Sequence, residues 1–96
     1  MTKGAFWIAH VTVTDDERYA RYARIATEAI AEHGGVFEAR GGRYRTMEGR
    51  EHARNVVARF PSFEAAVACY ESPRYQEALS HAAGASERDL VIVEMD

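Results

Sequence analysis

Four short apolar runs alternate with two amphipathic stretches along this chain, in the order strand, helix, strand, strand, helix, strand. Residues 5–13 (AFWIAHVTV) are rich in aromatic and β-branched side chains and lack a breaker, which is typical of a central strand buried on both faces. Residues 36–40 and 54–60 alternate apolar and polar positions, which predicts two more strands. Residues 90–93 (LVIV) predict a short, buried last strand.

Two stretches with apolar residues at helical spacing are predicted to form helices. Their caps and breakers are, in chain order, Thr14 or Asp15, Gly34, Ser62, Ser72-Pro73 and Gly84. Gly34 suits the left-handed position that closes the first helix. Pro73 suits the first turn of a restarted helix, where its missing N–H costs no hydrogen bond.

The segment after the second predicted strand is interrupted by Gly41-Gly42. This pair predicts a bulge or kink, followed by an exposed extension over residues 43–47 and a hairpin turn over residues 48–51. Simple alternation from Val36 onward places Phe37 and Ala39 on the core side, with Glu38 and Arg40 on the other side.

This element order, βαββαβ, predicts an α+β fold of the ferredoxin-like class. Right-handed crossovers give a four-stranded antiparallel sheet with both helices on one face, the first strand beside the third and the third beside the second. The other sheet face has no helix of its own, although residues such as Ile8, Val57 or Trp7 would lie on it. We therefore expect a second copy to cover this face in a two-sheet barrel.

The 96 residues correspond to one domain, residues 1–96. Its 12 Lys and Arg and 15 Asp and Glu give a formal charge of −3, which argues against nucleic acid as a partner. A local cluster of arginines at 40, 43, 45 and 50 is interleaved with acids at 38, 48 and 51. A solvated hairpin of mixed charge explains this cluster better than a nucleic-acid patch does.

The single cysteine, Cys69, excludes an intrachain disulfide and is interpreted as a small buried hydrophobe. The first residues do not have the pattern of a signal peptide, and no apolar run approaches the ~20 residues of a membrane span. The chain is therefore expected to be cytoplasmic, with no membrane partner.

Five segments across the whole chain carry a family resemblance: residues 7–11, 33–35 with 37–42, 60–66, 70–76 and 89–94. Together, and in this order, they resemble the family called domain of unknown function 1330. The resemblance implies a ferredoxin-like dimeric α/β barrel and brings no established reaction or cofactor. The wider superfamily includes cofactor-free monooxygenases, small-ring isomerases, haem-degrading enzymes and chlorite dismutases, an analogy of fold alone.

The candidate site is the polar set expected on the dimer-facing side: Glu38, Arg40, Asn55, Arg59 and His10. A buried arginine is costly unless a carboxylate or a ligand anion pairs with it. Two interpretations stay open, namely an Arg–Glu lattice within the interface and a pocket for a small carboxylate or enol-like molecule.

His10 is the candidate catalytic residue, because it is the titratable side chain of the most buried strand. In this hypothesis it acts as a base in cofactor-independent proton transfer or oxygenation, Arg40 and Arg59 hold the anion, and Glu38 positions an arginine. A core histidine bonded to a neighbour is the alternative. No histidine pair has metal-ligand spacing, so no metal or other cofactor is predicted, and a haem or metal binder is kept as a third interpretation.

Backbone N–H groups at Gly41 and Gly42 are candidate anion contacts, although a structural bulge is the preferred explanation of these glycines. Tyr22 and Tyr70 are candidates for the pocket mouth, with helix–sheet packing as the alternative. The leading hypothesis is a homodimer of unassigned activity that binds a small organic acid or aromatic. The rivals are a cofactor-independent enzyme and a non-catalytic structural dimer.

Overall fold

Four strands and three helices make up the part of the chain that the computed structural model describes, residues 3–96. Met1 and Thr2, the first residues of the predicted domain, lie outside it. In chain order the elements are β1 (Ala5–Val13), α1 (Asp16–Glu32), β2 (Val36–Arg40), β3 (Arg54–Phe60), α2 (Phe63–Glu71), α3 (Pro73–Ala82) and β4 (Ser86–Glu94). The strands form one antiparallel sheet in the order β2-β3-β1-β4. The predicted fold class and strand neighbours are therefore confirmed.

The helices begin and end at the predicted signals. Asp15 caps α1 by accepting a hydrogen bond from the backbone N–H of Arg18 at 3.1 Å. Ser62 caps α2, and Ser72 caps α3 just before Pro73. Gly34 takes the left-handed conformation, with φ of 81°, directly after α1.

β4 differs from its prediction, because it spans Ser86–Glu94 rather than residues 90–93. Its first half pairs with the end of β1, where His10 lies opposite Asp89 and Val11 lies opposite Arg88. The polar composition of residues 86–89 concealed this part of the strand, since only residues 90–93 form an apolar run.

The core lies between the helices and one face of the sheet. Trp7 is at its centre, stacked on Phe60 with ring centroids 5.5 Å apart and meeting the ring of Tyr75 edge-on. Cys69 is fully buried, as predicted, and burial, followed by the nearby Glu32, raises the pKa of its thiol to about 12. None of the described helices is long and apolar enough to cross a membrane.

A bulge in β2 changes which side chains face the helices. Val36 and Phe37 pair with Arg59 and Ala58, but the register then shifts, so that Ala39 pairs with Val57 and Arg40 with Val56. Paired residues share a face, and Val56 and Ala58 belong to the core side. Arg40 therefore lies on the helix side.

The prediction that Ala39 faces the core and Arg40 faces the other side is thus wrong, because the two residues lie on the opposite faces. The predicted bulge at Gly41-Gly42 lies instead within β2, between Phe37 and Ala39. The physical reason is the one extra residue that a bulge inserts, which reverses the alternation beyond it.

Candidate functional site

A narrow pocket lies between α1 and the helix-side face of the sheet, and we call it the helix-side pocket. Its volume of about 30 Å³ is enough for one or two water molecules. Its walls are mostly aromatic and aliphatic, with Trp7, Tyr19 and Phe37 among them. Including Tyr19, six polar side chains line it, and the other five are Tyr22, Thr27, Arg40, Arg54 and Arg88.

Arg54 and Arg88 occupy one cross-strand row of the sheet. Val11 of β1 pairs with Arg54 of β3 on one side and with Arg88 of β4 on the other. Paired residues point to the same face, so both arginines stand beside Val11 on the core side of the sheet. Two guanidinium groups are therefore directed into the same narrow space.

Within the described residues, these arginines have no ion-pair partner. Among residues 3–96, no carboxylate lies within ion-pair distance of Arg40, Arg54 or Arg88. The lining of the pocket contains no Asp or Glu. The Nε–H groups of Arg54 and Arg88 are buried and have no hydrogen-bond partner in the part of the chain that the structure describes. Such an arrangement costs free energy unless a ligand anion completes it.

Arg88 also holds a pair of tyrosines. Its Nη2 donates to the hydroxyl oxygens of Tyr22, at 2.7 Å, and Tyr75, at 3.2 Å. The two hydroxyl oxygens are 2.6 Å apart. Burial raises the pKa of both phenols above the ordinary value, so both remain protonated at neutral pH. The network thus presents hydrogen-bond donors and no base.

Arg40 lines the same pocket, and Gly41 lies against Arg54, another lining residue. The Arg40 guanidinium lies 4.2 Å from the centre of the Phe37 ring and donates to the hydroxyl of Thr27 at 2.6 Å. A side chain at Gly41 would meet Nη1 of Arg54 at 2.7 Å, so this glycine leaves room for the arginine. The Gly41 N–H donates to the carbonyl of Asn55 and is not free for a ligand, whereas Gly42 is exposed.

A second polar cluster lies on the sheet face away from the helices, which we call the open face. Nδ1–H of His10 donates to the side-chain oxygen of Asn55 at 2.7 Å. The nearby His52 is only 5% exposed and is bonded on both ring nitrogens. Its Nε2–H donates to Asp89 at 3.2 Å, and its Nδ1 accepts from the hydroxyl of Thr12 at 2.8 Å.

These residues and the exposed loop after β2 border an open-face pocket of about 450 Å³. Its charged lining is mixed, with Arg45, Glu48, Arg50 and Asp89. Among the described residues, no group of three or more His, Cys, Asp or Glu side chains is arranged to hold a metal ion.

The predicted site residues are divided between the two faces. Glu38 forms an ion pair with Nε of Arg59 at 2.8 Å on the open face, where His10 and Asn55 also lie. Arg40 and Tyr22 line the helix-side pocket. The sheet therefore separates His10 from Arg40, two residues that the enzyme hypothesis had combined.

Tyr70 belongs to neither cluster. It packs against Trp7 and lines a separate groove of about 370 Å³ between α2 and β4. Arg88 and Leu90 line the same groove.

Arg54, Arg88 and His52 are among the polar residues of these clusters that were not predicted as site residues. A signal for the arginines was present, because Arg54 has the alternation phase of Val56 and Ala58, and Arg88 has that of Leu90. Extending the alternation outward from the apolar runs would have placed both on the core side. His52 gave no such signal, since it lies in a polar loop outside any periodic segment.

The strand order and the helices on one sheet face define a ferredoxin-like α+β protein. The chain belongs to the family described as Domain of unknown function (DUF1330), which matches residues 4–95. This agrees with the resemblance found in the sequence. No curated protein matches the chain.

Solved structures with the same fold share little sequence with this chain. A protein of unknown function from Rhodopseudomonas palustris superposes with a TM-score of 0.81 at 20% identity, covering 100% of this chain and 85% of that one. SnoaB, a cofactor-independent oxygenase from Streptomyces nogalater, superposes with a TM-score of 0.70 at 10% identity, and the match covers 99% of this chain and 95% of SnoaB. A dimeric protein of unknown function and ferredoxin-like fold from Bacteroides fragilis gives 0.57 at 17% identity, covering 96% of each chain.

Proposed function

We propose that this protein binds a small organic anion, a carboxylate with a short apolar part, in the helix-side pocket. The observation that carries this proposal is the pair Arg54 and Arg88, which flank Val11 and have no carboxylate partner among residues 3–96. A guanidinium group binds a carboxylate through two parallel hydrogen bonds, and two such groups favour an anion over a neutral ligand.

The rest of the pocket suits the apolar part of such a ligand. Trp7, Tyr19 and Phe37 supply aromatic wall, which is the usual composition of a small-molecule site with few polar anchors. The volume of about 30 Å³ admits a carboxylate group and little more. A ligand of few heavy atoms is therefore expected, and an aromatic acid requires the exposed Arg40 side chain to move outward.

The assembly we propose is a homodimer in the cytoplasm, formed through the open face. The Bacteroides fragilis relative is described as dimeric. Val91 and Val93 are exposed on this face and lie beside Ile8 and Phe6 of β1, which makes an apolar surface suited to a second copy. The single, buried Cys69 is consistent with a reducing compartment.

A catalytic role for His10 is kept as a separate hypothesis. The fold shared with an oxygenase at 10% identity does not assign a reaction to this chain. His10 is bonded to Asn55 across the sheet from the helix-side pocket, so binding in that pocket does not require it. If a substrate is found, turnover unchanged by His10→Ala would rule this role out.

The test of anion binding is a titration with acetate, propionate and benzoate at constant ionic strength. Trp7, the chain's one tryptophan, lines the pocket and reports occupancy by fluorescence. We expect Arg54→Met to weaken carboxylate binding by about tenfold or more, since a charge-assisted hydrogen bond contributes roughly 1.5–3 kcal/mol. The free variant should be more stable by about 1 kcal/mol, because the buried Nε–H without a partner has been removed.

Arg21→Met is the matched control. Arg21 is an exposed arginine of α1 that pairs with Glu17 in the preceding turn and does not line the pocket. It should leave both affinity and stability nearly unchanged. Wild-type protein that responds to none of the three carboxylates, or equal losses in the two variants, would refute the proposed function.

A further inference from the structure

The paired hydroxyls of Tyr22 and Tyr75 carry two protons, and the hydrogen bond between them uses only one. Their oxygens are 2.6 Å apart, so one hydroxyl donates to the other through a single proton. Arg88 donates to both oxygens and can accept nothing. The second hydroxyl proton therefore needs an acceptor elsewhere.

Burial decides which tyrosine carries this second proton. Tyr75 is 0% exposed, and within residues 3–96 its hydroxyl contacts only Tyr22 and Arg88. If Tyr22 donated to Tyr75, the remaining proton would be buried without an acceptor, at a substantial cost. If Tyr75 donates to Tyr22, the remaining proton belongs to Tyr22, which lines the helix-side pocket. The second arrangement avoids this cost.

We infer that Tyr22 donates this hydrogen bond to a second oxygen of the ligand, so that the pocket prefers 2-oxo acids to plain carboxylates. The inference rests on the proposed anion site. Arg54 and Arg88 supply charged donors, which suit the carboxylate, while the Tyr22 hydroxyl is a neutral donor suited to a carbonyl oxygen.

The position of Tyr22 fixes where the second oxygen must lie on the ligand. Nη2 of Arg88 already donates to both tyrosine oxygens, so a ligand carboxylate must be bound by the other N–H groups of this guanidinium, and the group that Tyr22 binds must lie close to that carboxylate. The carbonyl oxygen of a 2-oxo acid lies on the carbon next to the carboxylate, which meets this requirement. The pocket volume of about 30 Å³ excludes a longer ligand, and even a 2-oxo acid requires the exposed Arg40 side chain to move outward.

The cost of a missing oxygen gives the size of the expected preference. A ligand without the carbonyl would cover the Tyr22 O–H and leave it without an acceptor. An unsatisfied buried donor weakens binding roughly 5- to 100-fold, and about tenfold is expected for a neutral hydroxyl.

Pyruvate and methacrylate are the matched probes, because methacrylate keeps the planar shape and the carboxylate and replaces the carbonyl oxygen with a CH2 group. Each is titrated into wild-type protein and into Tyr22→Phe and Tyr75→Phe, with amide NMR spectra reporting affinity and the location of the bound probe. Circular dichroism and thermal unfolding confirm that each variant is folded.

We expect wild-type protein to bind pyruvate about tenfold more tightly than methacrylate. Tyr22→Phe should lose this preference by weakening pyruvate binding alone. Tyr75→Phe should keep the preference, since Tyr22 would still accept from Arg88 and donate into the pocket. The ratio of the two affinities is informative because, if Tyr22 had only a structural role, its replacement would weaken the binding of both probes to the same extent.

The outcomes separate this inference from the proposal beneath it. If neither probe binds wild-type protein, the anion site fails and the inference fails with it. If both probes bind wild-type protein equally, the anion site stands and the preference for 2-oxo acids is overturned. Equal weakening of both probes by Tyr22→Phe, or loss of the preference in Tyr75→Phe, would overturn the assignment of the free proton to Tyr22.

Discussion

At the scale of single residues, the helix-side pocket holds polar groups whose burial works against folding. Arg54 and Arg88 each have a buried Nε–H without a partner, and the Tyr22–Tyr75 pair lies beside them. Unpaired buried groups of this kind lower stability, and a bound ion or ligand that pairs with them removes this cost. These residues therefore connect the stability of the protein to its proposed binding function.

Ionisation of the buried tyrosines should make the protein sensitive to alkali. Burial raises the pKa of Tyr22 and Tyr75 above the ordinary value of 10.0, so the folded state holds both protons more tightly than the unfolded state does. Their contribution to stability is complete below about pH 10 and is lost as the pH rises further. Urea unfolding between about pH 8 and pH 11 measures the loss, which is at most about 1.4 kcal/mol per pH unit for each group.

Tyr22→Phe should lose less stability over this range than wild-type protein. Tyr44→Phe is the control, because Tyr44 is an exposed tyrosine in the loop between β2 and β3. The same pH dependence in wild-type protein and Tyr22→Phe would contradict a shared, buried hydroxyl network.

At the scale of secondary-structure elements, the bounds of β1, β2 and β3 followed from the sequence, whereas the faces of β2 did not. Those bounds are set by local features, such as the run of β-branched residues in β1 and Pro61 after β3. The VFEAR segment fits either register equally well, because its alternation is only five residues long. The bulge after Phe37 is chosen by pairing with β3, a tertiary contact that no local pattern encodes.

This difference explains why the candidate site was predicted only in part. The bulge moves Arg40 to the helix side, where it joins Arg54 and Arg88. An arginine trio in one pocket therefore depends on a one-residue shift in register. The His10–Asn55 contact needed no such shift, since β1 and β3 are regular and place the two residues directly opposite each other.

The turn after α1 offers a test of helix termination. Gly34 has a φ of 81°, and a side chain added there would also meet Pro61 at 3.2 Å. Gly34→Ala should lower the free energy of unfolding by about 1–2 kcal/mol, because residues with a Cβ are disfavoured in the left-handed region.

Gly42→Ala is the matched control for this change. Gly42 has nothing within 4 Å of an added Cβ, and its φ lies outside the left-handed region. Its replacement should be neutral or slightly stabilising, since alanine restricts the unfolded chain. Both values come from urea unfolding at neutral pH, and equal effects at the two glycines would show that backbone conformation is not what Gly34 supplies.

At the scale of the whole molecule, the sheet separates two surfaces with different proposed roles. Its helix side carries the pocket with Arg54 and Arg88, and its open face carries the apolar surface around Ile8 and Val91. Binding and assembly should therefore be separable by mutation. A change on the open face that prevents dimer formation need not alter the helix-side pocket.

Val91→Glu should convert the proposed dimer into a folded monomer. Val91 is 54% exposed in the single chain and lies beside Ile8, which in turn pairs with Val57, so these three residues form one apolar row across the open face. A glutamate in this row would have to be buried without a partner in a face-to-face dimer, which is costly, but stays hydrated in the monomer. Light scattering and sedimentation measure the molecular mass across a range of protein concentrations.

Phe63→Glu is the control, because Phe63 is also an exposed apolar residue, 38% accessible, but begins α2 in the helix layer. A glutamate in the first turn of a helix is favourable, so this variant should stay folded and keep the wild-type mass. Since the helix-side pocket lies on the opposite side of the sheet, monomeric Val91→Glu should also retain carboxylate binding. If the dimer persists in Val91→Glu and dissociates in Phe63→Glu, the interface must lie on the helix layer instead. It would then cover the proposed pocket rather than leave it accessible.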